Sequence, residues 1–502
     1  MSDATRPNIV LILVDDMGFS DLGCYGSEIR TPNLDSLAAD GQRFTHFYNA
    51  ARCCPTRASL LTGLHPHQAG MGGMVGNAGR QTERTAYQGF LNDRCVTLAE
   101  VLGGAGYATY MSGKWHVGEE HPNWPMDRGF DRHFGLISGA MNYFDIRKAK
   151  APGARRRFSN ENADYTPPPE GFYATDAFTD YAVERIEQHD ATQRPFFLYL
   201  AYTAPHWPLH ALPEDIARYE GRYAEGWQPL REQRYRRLVA SGLIRPDWAL
   251  SPPDEHAADW ESLDKPTRDL MAQKMAVYAA QVDRMDQGVG RVVDALRRKG
   301  VLEETVILFL SDNGACHEGG PLGFDRDDGT GGALGGVDSY QSYGRSWSNA
   351  SNTPFRRHKH WVHEGGIATP LIVHAPGRVE PDSIVGDVGH VIDIMPTCCE
   401  LAGARYPEEY GGRPVTPVEG RSLVPVFEGR GRTPHDILHW AHEGNHAIRA
   451  GKWKLVMEAD SPWELYDMEA DRTELNDLAQ DAPELVAELR EKFETWARKV
   501  GV

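Results

Sequence analysis

Short, unbroken apolar runs alternate with longer amphipathic stretches over most of the chain. Residues 8–14 read NIVLILV, and 196–202, 305–310 and 370–374 repeat that texture. Runs of this length with no polar face predict strands buried on both sides. Between the second and third runs, Met271, Met275, Tyr278, Val282, Met285, Val289, Val292 and Leu296 recur at alternating intervals of four and three. That spacing predicts a long amphipathic helix, and Gly300 ends it. Strands alternating with helices imply an α/β fold, with a mostly parallel central sheet covered by helices on both faces. Past about residue 429 the texture changes to short alternating segments, HAIRAGKWKLVME and then WELYDMEADRTELNDLA. We expect a large domain over 1–428, then a small α+β subdomain over 429–502 with an antiparallel sheet and a closing helix at Pro483–Val500.

Open parallel sheets bind ligands beyond the carboxyl ends of their strands, so the residues that follow each run matter most. Asp15-Asp16 follows the first run, His206 closely follows the second, and Asp312-Asn313 follows the third. Three segments read as irregular insertions over that edge: 149–171, 212–264 and 314–351.

Composition narrows the function classes. Among 502 residues, 12 Trp and an aromatic content of 10% argue for a folded globular chain. A formal charge of -18 excludes a general nucleic-acid binder, which needs a basic footprint. No apolar run approaches the ~20 residues of a membrane-spanning helix. Residues 1–8 carry no basic region, apolar core and cleavage site, so we expect a soluble, cytoplasmic chain without membrane partners. Seven cysteines are an odd and scattered set, which fits reduced thiols better than a disulfide framework. Oligomeric state is not encoded legibly, and a homo-oligomer is compatible with this composition.

Taken alone, Asp15-Asp16 and Asp312-Asn313-Gly314 fit turns or caps as well as ligands. Together they supply three carboxylates and an amide oxygen, hard donors suited to calcium or magnesium, and the joint reading is a metal site. Residues 53–63, CCPTRASLLTG, predict a helix with Pro55 in its first turn. Cys53 then stands at a helix N-terminus, which favours anions, and Arg57 lies about one turn on. Lys114 and His116 share one tight segment, and His206 sits in Pro205-His206-Trp207-Pro208. Each would be unremarkable in isolation. Trp207, Trp227, Trp248, Trp260 and Tyr143 either line an aryl or sugar pocket or form satellite cores. Of 20 histidines, His65, His67, His317, His358 and His360 stand near motifs and remain candidate pocket residues.

These motifs resemble the formylglycine-dependent sulfatases, the arylsulfatase family within the alkaline phosphatase superfamily. The signature Cys-x-Pro-x-Arg followed by Leu-Thr-Gly appears as Cys53, Pro55, Arg57 and Leu61-Thr62-Gly63. Gly113-Lys114-Trp115-His116-Val117-Gly118, Val14-Asp15-Asp16 and Ser311-Asp312-Asn313-Gly314 also match, as does Lys359 five residues before Glu364-Gly365-Gly366. The order holds down to Trp463-Glu464-Leu465-Tyr466-Asp467, so the resemblance covers nearly the whole chain.

The resemblance implies a large alkaline-phosphatase-like domain with a mixed, mostly parallel sheet and a smaller C-terminal antiparallel sheet. It implies hydrolysis of small sulfate esters by a formylglycine hydrate made from Cys53, through a covalent sulfoenzyme intermediate. Asp15, Asp16, Asp312 and Asn313 would bind one Ca2+, or Mg2+, together with an oxygen at position 53. Arg57 and Lys114 would hold position 53 and the sulfate, His116 would take a proton, and His206 and Lys359 would serve the leaving group. A formylglycine-generating maturation enzyme is the implied partner. A phosphonate or phosphate ester hydrolase of the same superfamily competes, because the same nucleophile and metal suit phosphoryl transfer. A non-catalytic calcium-binding relative is the other alternative. The Lys114 and His116 segment has the sulfatase form, and the complete polar set argues for catalysis.

Overall fold

The computed structural model describes residues 6–75, 85–148, 156–190, 192–326 and 332–502. A ten-stranded sheet lies at its centre. From edge to edge it runs Ser383–Val385, Gln42–Phe44, Leu371–His374, Thr305–Ser311, Asn8–Asp15, Phe196–Pro205, Ala108–Gly113, Arg132–Leu136, Phe158–Asn160 and Ala163–Asp164. The strands from Thr305–Ser311 through Arg132–Leu136 pair in parallel. Leu371–His374 adds an antiparallel neighbour on one side and Phe158–Asn160 on the other. The sheet is therefore mixed and mostly parallel, as the alternation of strands and helices predicts.

The first strand shows why its sequence carries no polar face. Successive side chains point to opposite sides of a strand. Val10, Ile12 and Val14 enter a core shared with the helix Lys265–Lys299, whereas Ile9, Leu11 and Leu13 enter a core with Cys53–Thr62 and Ile394–Ala402. The long helix starts at Lys265, earlier than its apolar stripe. Asp264 caps it by accepting from Thr267 N, and Pro266 occupies the first turn. Gly300 closes it at φ 75°.

The reading of 212–264 as an irregular insertion needs correction, because it contains the helix Trp227–Ala240. Its charges misled the reading: Arg234 is fully buried and pairs with Asp21 at 2.6 Å and Glu28 at 2.9 Å. The other two insertions are also partly regular, with the strands Phe158–Asn160 and Ala163–Asp164 inside 149–171 and the helix Gly344–Ser351 inside 314–351, while 149–155 and 327–331 lie outside the described residues.

Near the C-terminus, Ile437–His442, Asn445–Ala450, Trp453–Met457 and Glu464–Asp467 form a four-stranded antiparallel sheet. Pro483–Val500 packs on it through Leu489, Phe493 and Ala497. All seven cysteines are free thiols.

A seam of histidines joins this sheet to the turn after Cys53–Thr62. His65 and His67 meet Trp496 edge to face, with ring centroids 5.2 and 6.0 Å away. His390 lies 6.3 Å from His65. Burial pushes the imidazole of His65 down to about 4 and those of His67 and His390 to about 3. Below the ordinary value of about 6.5, the unfolded chain therefore binds protons that the folded chain refuses. Stability is untouched by these groups above pH ~6.5 and falls as pH drops from there toward 4, by about 1.4 kcal/mol per histidine per pH unit. Melting temperatures should decline between pH 7 and 5, and His67→Phe should flatten the slope by about one proton. An identical slope in that variant would contradict the assignment.

Candidate active site

Adjacent parallel strands deliver the candidate residues to one edge. Thr305–Ser311 leads into Asp312 and Asn313, Asn8–Asp15 ends in Asp15 and leads into Asp16, Phe196–Pro205 leads into His206, and Ala108–Gly113 leads into Lys114 and His116. The chain turns sharply off these strands. Asp16 and His116 stand at φ 69° and 58°, and Gly113 at φ 108°. A Cβ on Gly113 would lie 1.9 Å from the Ala201 carbonyl oxygen, so only glycine fits this crossing. The Tyr143 hydroxyl donates to the carbonyls of Thr203 and His206 at 2.7 and 2.8 Å and so props the turn that presents His206.

The helix Cys53–Thr62 is buried along its whole length. One turn in, Arg57 Nε and Nη2 donate to Asp312 Oδ2 at 3.0 and 2.8 Å, while Nη1 donates to the Lys114 carbonyl at 2.9 Å. Lys114 Nζ donates to Asp15 Oδ2 at 2.5 Å. Lys359 Nζ lies 2.7 Å from Asp16 Oδ1, and His206 Nε2 lies 3.4 Å from Asp16 Oδ2. The structure thus brings together Cys53, Arg57, Lys114, His116, His206, Asp312, Lys359, Asp15, Asp16 and Asn313.

The electrostatics are those of a buried, crowded charge cluster. Burial and the adjacent Asp15 push the Asp312 carboxyl well above the usual range, against the pull of Arg57. Burial also opposes ionisation of Asp15, but Lys114, then His206 and Arg57, outweigh it and hold that carboxyl low. Burial disfavours charge on Lys114 and Lys359, yet Asp15 and Asp16 respectively keep each ammonium above its ordinary value. A hydrogen bond from Cys54 holds the Cys53 thiol well below its usual range despite burial, with help from Lys114 and His116. Burial lowers His116 to about 4, so its imidazole is neutral at neutral pH.

The donor set fits a hard cation. Asp15 Oδ1 and Asn313 Oδ1 are buried without a hydrogen-bond partner among the described residues. The Asn313 amide nitrogen donates to Asp16 Oδ1 at 2.7 Å, which fixes the orientation of its oxygen. Oxygens from Asp15, Asp16, Asp312 and Asn313 could hold calcium or magnesium without nitrogen or sulfur.

A cavity of about 850 Å³ opens onto Cys53, His116, His206 and Lys359. Trp207 lines it, whereas Tyr143, Trp227 and Trp260 are buried in the core and Trp248, also buried, borders a separate cavity. Trp227 instead meets Trp260 and Trp347 edge to face at 4.8 and 5.4 Å. His65, His67, His317, His358 and His360 also stand off the cavity wall. Sequence reasoning missed Arg52, Glu318 and Gly139. Arg52 directly precedes Cys53, and its Nη2 donates to Glu318 Oε1 at 3.0 Å. Gly139 borders the His116 ring, and its only trace in the sequence is a Ser-Gly-Ala run.

Carboxylates, cations and histidines converging on a helix-capped cysteine at the strand ends of an α/β sheet define a hydrolase for small anionic esters. Residues 7–404 match the family model described as Sulfatase, and 356–499 match the one described as N-sulphoglucosamine sulphohydrolase, C-terminal. An uncharacterized sulfatase of Schizosaccharomyces pombe is 35% identical, covering 100% of this chain and 95% of the relative. The arylsulfatase of Klebsiella aerogenes is also 35% identical, over 85% of this chain and 93% of that one. The crystal structure of Ps i-CgsB aligns with a TM-score of 0.73 at 27% identity, covering 98% and 93% of the two chains. The chain belongs to the sulfatase family of the alkaline phosphatase superfamily and is a sulfuric ester hydrolase.

An alanine at 139 tests the packing around His116. Its Cβ would fall 2.4 Å from His116 Nε2, so the ring must move. A displacement on the order of 1 Å costs roughly 100-fold in rate. Gly139→Ala should therefore lose about that factor in kcat on a sulfate ester. Undiminished kcat would show that the ring has no fixed catalytic position.

Proposed function

We propose that the chain is an arylsulfatase-like enzyme whose nucleophile is made at Cys53 by a formylglycine-generating partner, with one Ca2+ at the oxygen cluster. The observation that carries this is the placement of Cys53 on the cavity wall, at a helix N-terminus, next to Lys114 and His116. The aldehyde hydrate supplies a nucleophilic oxygen, and the calcium ion offsets the charge of substrate and nucleophile.

The remaining work belongs to the chain's own side chains. Asp15, Asp16, Asp312 and Asn313 would hold the cation. Lys114 and Arg57 stand beside position 53 and meet negative charge that grows on sulfate in the transition state. His116 is a neutral imidazole, so it can accept a proton from the hydroxyl at position 53 as the aldehyde is restored. His206 Nδ1 lies 2.6 Å from the Trp207 carbonyl oxygen and donates to it, which leaves Nε2 facing Asp16 and the cavity. In its imidazolium form Nε2 can give a proton to the departing oxygen, with Lys359 alongside.

The proposal yields three expected outcomes. Peptide mass spectrometry of active enzyme should place the aldehyde at Cys53 and not at Cys54, since only Cys53 has Pro two and Arg four residues on. Aldehyde confined to Cys54, or full activity in Cys53→Ala, would reject the nucleophile. Asp312→Ala should abolish turnover and weaken calcium binding by more than the ~10–100-fold that loss of an outer-shell partner costs. Full activity in enzyme shown by elemental analysis to lack calcium and magnesium would reject the metal.

The third outcome separates the two histidines. General acid catalysis contributes ~100- to 10,000-fold, so His206→Ala should lose about that factor on alkyl or sugar sulfates and much less on nitrophenyl sulfate. His116→Ala should instead give a burst of phenol and then stall. Equal losses on every leaving group would make His206 a sulfate-positioning residue.

A further inference from the structure

Outside the oxygen cluster, a second group of ligating side chains lies where the C-terminal sheet meets the catalytic domain. His442 ends the strand Ile437–His442, Glu443 begins the following hairpin turn, and His360 sits in the loop after Lys359. One ligand atom from each of the three lies within 4.8 Å of the other two. His360 Nδ1 is 2.9 Å and His442 Nε2 is 3.8 Å from Glu443 Oε2. Zinc bonds of about 2.0–2.1 Å set tetrahedral ligand atoms roughly 3.3 Å apart, and these two separations bracket that value.

His442 is the informative member. It is only 2% exposed, and neither ring nitrogen has a hydrogen-bond partner among the described residues. A buried polar ring without a partner carries a desolvation cost that a bound ion would remove. Burial lowers its imidazole to about 3, so its lone pair is available at neutral pH. A hydrogen bond from His360 holds the Glu443 carboxyl at about 2 and keeps it ionised. His360 and Glu443 are partly exposed, so an ion has an entry path and an open coordination position for water.

We propose that His360, His442 and Glu443 form a binding site for a divalent transition metal of the zinc class, separate from the calcium cluster and pinning the C-terminal hairpin to the catalytic domain. Two imidazoles and one carboxylate suit zinc, whereas an all-oxygen set suits calcium, so the two ions sort by ligand chemistry. Binding uses the lone pair of His360 Nδ1, so in the metal-bound state the ring carries its single proton on Nε2. Arg52 is the neighbouring cation, with Nη1 4.0 Å from Glu443 Oε2 and 3.3 Å from His360 Nδ1. It already bonds Glu318, a cavity-lining carboxylate that can hold it when the ion arrives.

The test titrates matured, calcium-loaded enzyme with Zn2+ by calorimetry, with elemental analysis for stoichiometry and Co2+ absorption as a report of low-coordinate geometry. One zinc beyond the calcium is expected. Glu443→Gln and His442→Ala should each weaken it by more than the ~10–100-fold expected of an outer-shell change. Glu443 lies in a partly exposed turn, so its variant folds even where His442→Ala does not. Absence of zinc binding at micromolar concentrations overturns the proposal. So does zinc that survives Glu443→Gln.

Discussion

The paired charges of Asp15, Asp16 and Asp312 with Lys114, Lys359 and Arg57 fix the arrangement on which the site depends. All six residues are 2% exposed or less. In such surroundings an unpaired charge costs several kcal/mol, and removing one partner from a buried pair typically costs about 3–5 kcal/mol. Each pair therefore acts as a positional lock between segments far apart in the chain. Arg57 ties the Cys53 helix to the end of Thr305–Ser311, Lys114 ties the Ala108–Gly113 turn to the first strand, and Lys359 ties its loop to Asp16. The helix dipole at Cys53 points where those locks leave it.

The same arrangement accounts for sulfate chemistry in a chain whose formal charge is -18. Overall charge repels an anion at long range, but solvent screens it beyond about 8–10 Å. Inside the cavity the field is set by the nearest groups. Lys359 reaches the cavity wall and Lys114 stands against Cys53. Donors held in place before the reaction need little reorganisation during it, which is where electrostatic catalysis gains most.

Much of this was legible in the sequence because buried parallel strands must be apolar throughout. NIVLILV could be little else, and the polar pairs that break each run mark the strand ends. The residues that converge at the candidate site were readable because they occupy short motifs beside those breaks. Residues whose role depends on a distant partner were not readable. Arg231 and Arg234, on the buried face of a half-exposed helix, made it look like a charged loop, since nothing local announces that Ser251, Asp21 and Glu28 wait for them. The tryptophans fit pocket or core equally well by composition, and only packing assigned Trp207 to the cavity beside Cys53, Trp227 and Trp260 to the interior, and Trp248 to the wall of a separate cavity. His442 carries no signal until the fold brings His360 within reach.

The C-terminal sheet is better understood as part of the active-site scaffold than as an appendage. Residues 47–52 form the approach to Cys53, and the sheet grips that approach at successive points. Trp440 Nε1 donates to the Asn49 carbonyl at 2.8 Å, Arg449 donates to the Tyr48 hydroxyl, and that hydroxyl donates to Glu364 at 3.0 Å. Glu364 in turn accepts from Lys454 and Arg472 at 2.9 and 3.2 Å, all three fully or almost fully buried. The two family models overlap over 356–404, the region that carries Lys359 and Glu364. A lysine facing the cavity and a glutamate anchoring the sheet thus share one short loop, so the energy that docks the C-terminal sheet also holds that lysine in place. Separating the sheet from the rest of the chain would strip partners from buried charges on both sides, at about 3–5 kcal/mol for each pair broken.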